Sequence, residues 1–135
     1  MGTIKKTVIH QFDPTIYPRK LWVMKGGSVN DILDAFTEPD GEEINLVIYT
    51  GKEPSAMTIK VIHKESRYYG VLVWLCDGKA NIENVAHEAV HVASCIFDDL
   101  GMTMGFDGGK DEHFAYLVGF AADCINQVRT NKFRE

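Results

Sequence analysis

Apolar residues in the second half of the chain recur with a helical period. Between Ala80 and Leu100, Val85, Ala89, Val92 and Ile96 follow one another at steps of 4, 3 and 4, a stripe that predicts one long helix buried against a sheet. Gly101 comes directly after and predicts its stop. A glycine-rich loop then runs to Lys110, and a second helical pattern opens at Asp111, a candidate N-cap. Ala115, Val118, Gly119, Ala122 and Ile125 are its predicted inward face.

The first half has the shorter period of strands. Residues 4–10, 44–50, 57–64 and 69–76 are rich in Val, Ile, Tyr and Thr and are predicted to be extended. Ser28 and Asp31 have the spacing of a capping box, predicting a short helix through Phe36 with Ile32, Leu33 and Phe36 on its apolar face; the turn Glu38-Pro-Asp-Gly41 ends it. The segment Lys64–Arg67 is short enough to join its flanking strands as an antiparallel hairpin, and Gly70–Leu75 feeds through Asp77-Gly78 into the long helix. These elements predict an α+β fold, a small antiparallel or mixed sheet packed against two helices. No repeat or linker divides the chain, so residues 1–135 are expected to form a single compact domain.

A 45% apolar content supplies a core for one such domain. The net charge of −5, without a basic run, gives no electrostatic footprint for nucleic acid or an anionic membrane, so neither is expected as a partner. The N-terminal residues lack a hydrophobic signal region and no segment approaches a membrane-spanning length, so neither export nor insertion is expected. Cys76, Cys95 and Cys124 are odd in number and widely spaced, which fits a reducing cytoplasm.

Candidate chemistry lies in His87-Glu88-Ala89-Val90-His91. On a helix, a step of four residues turns about 400° and rises roughly 6 Å, so His87 and His91 stack on one face within reach of a single ion. Glu88, about 100° round from His87, stands at the edge of that face, where a carboxylate reaches a zinc-bound water without becoming a ligand. A short motif of this kind arises by chance in about one shuffled chain in a hundred. In the alternative reading, both histidines are core residues satisfied by backbone carbonyls and Glu88 is a surface charge.

A catalytic zinc takes three protein ligands and leaves one position to water. The spacing that puts a third histidine almost at once is excluded, because Ser94 and Phe97 occupy the glycine and histidine positions. Cys95 is roughly 12 Å along the axis from His87, too far to share its ion, and reads as a small buried residue. Glu112, in the first turn of the second helix, has the macrodipole to favour its ionised form, and a loop of about ten residues can return it to the histidines. His113 and Asp111 remain alternatives. Asp98 and Asp99 read as exposed or loop-capping residues, and His10 and His63 as packed or surface histidines within strands.

A His-Glu-x-x-His helix followed by a helix carrying Glu112-x-x-Ala115 resembles the gluzincin-type zinc metallopeptidases over residues 80–128. The run Glu112-His-Phe-Ala-Tyr-Leu-Val-Gly119 is also similar to compact metallopeptidase-like proteins of phages and prophages. The resemblance implies zinc as cofactor, His87, His91 and Glu112 as ligands, Glu88 as the base that activates water, and Ala115 as the small residue of a close helix contact. It further implies a peptide or protein substrate, bound extended along an edge strand, with Val71–Leu75 or its hairpin partner as the candidate. Thermolysin-like members have an aspartate where this chain has Tyr116. Tyr116 is a candidate to support a ligand or stabilise an oxyanion, or else it packs between the helices. A different class of function stays open beside hydrolysis: a zinc-stabilised or metal-free interaction module without turnover.

Overall fold

The alternation of side chains along two central strands divides the core in two. The computed structural model describes residues 7–46, 55–76 and 78–134. Strand β2 (Lys20–Lys25) sends Leu21 and Val23 to one face of the sheet and Trp22 and Met24 to the other, and β5 (Tyr69–Leu75) divides Val71, Val73 and Leu75 from Leu72 and Trp74 in the same way. With both faces covered, these strands read as unbroken apolar runs rather than alternating ones. That is why β2, with no polar residue between Leu21 and Met24, is absent from the expected strands.

The other strands are β1 (Ile9–Phe12), β3 (Phe36–Thr37) and β4 (Ala56–His63), in a five-stranded mixed sheet of order β1-β2-β5-β4-β3. β2 and β5 run parallel, from Lys20 opposite Gly70 to Lys25 opposite Leu75, and β4 and β5 form the expected antiparallel hairpin. The fold is therefore α+β with a mixed sheet. The expected strands 57–64 and 69–76 are β4 and β5 to within one residue at each end, whereas residues 4–10 and 44–50 differ more. The first strand lies further on, at Ile9–Phe12; residues 44–46 form no strand but bury Ile44 and Leu46, and residues 47–50 and 4–6 lie outside the described residues.

Helix α1 (Val29–Ala35) begins at Ser28 with the expected capping box, Ser28 Oγ accepting from Asp31 N and the Asp31 carboxylate accepting from Ser28 N. It stops one residue earlier than expected, because Phe36 is extended and opens β3. α1 covers the face of Trp22, Leu72 and Trp74, while α2 (Ile82–Asp99) and α3 (Glu112–Thr130) cover the opposite face.

The predicted stripe of α2 is its buried stripe, Val85, Ala89, Val92 and Ile96 being at most 1% exposed. Asn81 caps its start with the Asn84 amide. At its end Gly101 takes φ +67°, and Met102 N–H to Phe97 O with Gly101 N–H to Asp98 O make a Schellman closure. For α3 the stripe is rotated from expectation. Leu117, Ala121, Cys124, Ile125 and Val128 are buried, whereas Ala115 and Gly119 are exposed, because α3 packs on both α2 and the sheet. Asp111 does precede the helix but sits in helical backbone conformation and its side chain caps nothing. No helix among the described residues is long and apolar enough to cross a membrane.

Candidate metal centre

Burial on α2 fixes what the rest of the helix exposes. With Val85, Ala89, Val92 and Ile96 against the sheet, His87 and His91 fall on the opposite, solvent-facing side. Their Nε2 atoms lie 3.1 Å apart and their rings meet edge to face at 4.7 Å. Two zinc–nitrogen bonds of about 2.05 Å at a tetrahedral angle hold their nitrogens roughly 3.3 Å apart, so the pair fits a shared ion with almost no movement. Without one, one ring must donate to the other, since two imidazole lone pairs that close repel.

Glu88 has the opposite environment. It is 5% exposed, the one buried charged residue of the described protein. Thr58 Oγ1 on β4 donates to its Oε1 at 2.9 Å, while Oε2 is 3.9 Å from His87 Nε2, beyond hydrogen-bonding distance. One carboxylate oxygen is thus held by the sheet and the other faces the histidine pair. The alternative of buried histidines beside an exposed glutamate is the reverse of this arrangement.

Glu112 is exposed in the first turn of α3, where it lines a shallow depression with Ala115, Tyr116, Gly119 and Phe120, all of α3. Among the described residues no third His, Cys, Asp or Glu joins His87 and His91 in a group that could hold a metal ion. The rings of Phe97 and Phe114, 5.3 Å apart, set the start of α3 beside the last turns of α2. From His91 to Phe97 is about 9 Å along the helix, which is why Glu112 is not beside the pair. His113 is exposed too, against Pro14, Ile16 and Tyr17 of the β1–β2 connection, and Asp111 is half-buried. Tyr116 is 75% exposed, so it does not pack between the helices, and Ala115 is not a point of close helix contact.

Beyond His91 the helix carries a polar seam. Lys60 of β4 pairs with Asp98, and Arg19 pairs with Asp99. The Lys60 ammonium holds the Asp98 carboxyl below its ordinary value, and its hydrogen bond to Asp98 raises Lys60 in turn. Burial pushes the half-buried Cys95 thiol up, against the pull of Lys60. His10 meets Phe133 with the rings tilted, and His63 lies against Trp22 and Phe36, accepting from Ser66 N–H.

The strand Val71–Leu75 is not an edge. β5 is paired on both sides, with β2 and β4, because the chain returns through a parallel crossover. Its hairpin partner β4 is the strand nearer the edge, and among the described residues its outer side is paired only at Ile62 and His63, by β3. Nothing in the sequence singles out Thr58 and Lys60. The alternation of β4 puts Ala56, Thr58 and Lys60 on one face, but only the folded packing tells that α2 crosses that face.

Comparison with protein-family models, curated proteins and solved structures finds no match to this chain.

Proposed function

We propose that the protein is a zinc-dependent metallopeptidase that hydrolyses peptide bonds without a covalent intermediate. The observation that carries this reading is the pair His87 and His91, Nε2 to Nε2 at 3.1 Å on an exposed helix face, beside a buried glutamate whose free oxygen faces them. A buried carboxylate costs free energy, and one set next to two solvent-facing imidazoles supports a reading of Glu88 as a base.

In this reading His87 and His91 are two ligands and Glu112 the third, brought to the pair from the start of α3 when zinc binds, since among the described residues the pair has no third ligand beside it; His113 and Asp111 are the alternatives for that position. Zinc, when bound, polarises a scissile carbonyl and brings the pKa of water toward about 7. Glu88 takes the proton of the attacking water and delivers it to the leaving amine. The stretch of β4 whose outer side is paired by no described residue, next to Glu88 through Thr58, is the proposed docking edge for an extended peptide. Tyr116 is proposed to meet the substrate rather than the ligands, and a cytoplasmic setting belongs to the same reading.

The test is elemental analysis of wild-type, His91→Ala and Glu112→Ala protein, with hydrolysis of fluorescein-labelled casein measured on the same samples. About one zinc per wild-type chain, lost in both variants, together with casein cleavage, is the expected result. Zinc kept by Glu112→Ala reassigns the third ligand to His113 or Asp111. Zinc without cleavage of casein or of a peptide library replaces the peptidase with a zinc-stabilised interaction module, and no zinc after resupply removes the metal altogether.

A further inference from the structure

A glutamate that is to move a proton needs one oxygen pointing at the reacting atoms, and a long side chain does not supply that by itself. Glu88 has three rotatable bonds between helix and carboxylate. In this protein the carboxylate has its two oxygens in different hands: Oε1 accepts from Thr58 Oγ1 at 2.9 Å, and Oε2 is turned to His87 at 3.9 Å. With 5% of Glu88 exposed, water has little access to take the place of Thr58 as a donor.

The donor is unusually well fixed. Thr58 sits within β4, paired with Val73 of the central strand β5, and a β-branched residue in a strand has few χ1 choices. Two residues on, Lys60 reaches Asp98 on the same helix, so the face of β4 that carries Thr58 is tied to α2 at two points. The hydroxyl is therefore held by the sheet, and the carboxylate by the hydroxyl.

We propose that Thr58 is a positioning residue that orients Glu88, through its hydroxyl hydrogen bond to Oε1, so that Oε2 faces the His87–His91 pair. The inference rests on the reading of Glu88 as the base. It adds a residue from outside the helix motif, and it connects the strand proposed to receive the peptide with the group proposed to act on it.

The experiment compares Thr58→Val, which keeps the branched shape and removes the hydroxyl, with Thr58→Ser, which keeps the hydroxyl. Two readouts are taken on zinc-supplied protein: crystal structures, for the direction of the Glu88 carboxylate, and steady-state cleavage of labelled casein. The expected result is that Oε2 turns away from His87 in Thr58→Val and not in Thr58→Ser. Turnover then falls by about tenfold in the valine variant at unchanged KM and zinc content, and the serine variant restores it to within about threefold. A carboxylate that keeps its direction in Thr58→Val, or a serine variant as impaired as the valine one, overturns the proposal. A Thr58→Val protein that does not fold is replaced by Thr58→Ala and judged by the same carboxylate direction. Wild-type protein that binds no zinc or cleaves nothing defeats the peptidase reading separately, while the carboxylate direction still decides whether Thr58 orients Glu88.

Discussion

His87 and Glu88 are neighbours in the chain with opposite surroundings, the side chain of His87 being 65% exposed and that of Glu88 7%. A helix produces this split only where its buried sector ends between two consecutive positions, about 100° apart. The sector ends there because β4 reaches round to Glu88 through Thr58. Ligand candidates are left facing solvent, where an ion and a substrate can arrive, and the acid is left in a drier place where its interactions are stronger.

Replacing Glu88 by Gln keeps the shape and the acceptor for Thr58 and removes the proposed base. Casein cleavage should fall by at least about a hundredfold while zinc content stays near that of wild type, whereas His91→Ala should lose both. Full activity in Glu88→Gln would assign the base elsewhere.

Gly70 allows the parallel pairing of β2 and β5. A Cβ at Gly70 would lie 2.1 Å from the carbonyl oxygen of Lys20 and 2.8 Å from Trp22 Cζ3, so Gly70→Ala must push the two strands apart at the first pair of their register. Gly101, by contrast, has open space and only its φ of +67° to defend. Chemical denaturation should show Gly101→Ala costing about 1 kcal/mol, with Gly70→Ala costing at least about 3 kcal/mol or failing to fold. Equal losses would contradict the close approach.

The pair Lys60–Asp98 gives stability a pH window. Asp98 is lowered from its ordinary 3.8 by the Lys60 hydrogen bond and charge, so its contribution is present above 3.8 and is lost as pH falls through its lowered folded value. Lys60 is raised from 10.5, so its contribution is present below 10.5 and is lost as pH rises through its raised folded value. Urea midpoints of wild type and Lys60→Met should therefore differ at pH 7 and converge as pH falls through the lowered value of Asp98, and the difference should shrink in high salt because the pair is exposed. A difference that persists in acid would mean that Lys60 acts through packing alone.

Burial pushes the Cys124 thiol up to about 12, with Asp123 adding to the effect. Thiolate is the reactive form, so iodoacetamide at pH 8 should leave Cys124 unmodified in the folded protein, followed by mass spectrometry of its peptide, and alkylate it readily in urea. Rapid modification under native conditions would indicate that α3 opens there.

Much of the fold is legible where burial falls on one side of an element. The α2 stripe has that form; the capping box of α1 and the short turn between β4 and β5 are local signals of another kind, and that turn marks β5 although both of its faces are covered. β2 was not legible because burial on both faces erases the alternation by which a strand is recognised. The inward face of α3 departs from expectation for a related reason. Small residues such as Ala115 and Gly119 fit the spacing of an apolar face without needing burial, and the larger Leu117 and Val128 decide it in the folded protein. Of the candidate centre, the histidine pair follows from helix geometry alone. The position of Glu112 depends instead on how far α2 continues past His91, and the partner of Glu88 on which strand lies across the helix; both are tertiary.

The order of the strands also divides the labour of folding. β4, β5, α2 and α3 follow one another in the chain and contain His87, Glu88, His91, Thr58 and Glu112, so their mutual contacts close short loops. The β2–β5 pairing instead joins Lys20 to Gly70 across α1, β3 and β4, and closing that long loop is entropically the slower event. Docking of β2 is therefore the step that should limit the rate at which this protein forms, leaving α2 and α3 among the first parts to take shape.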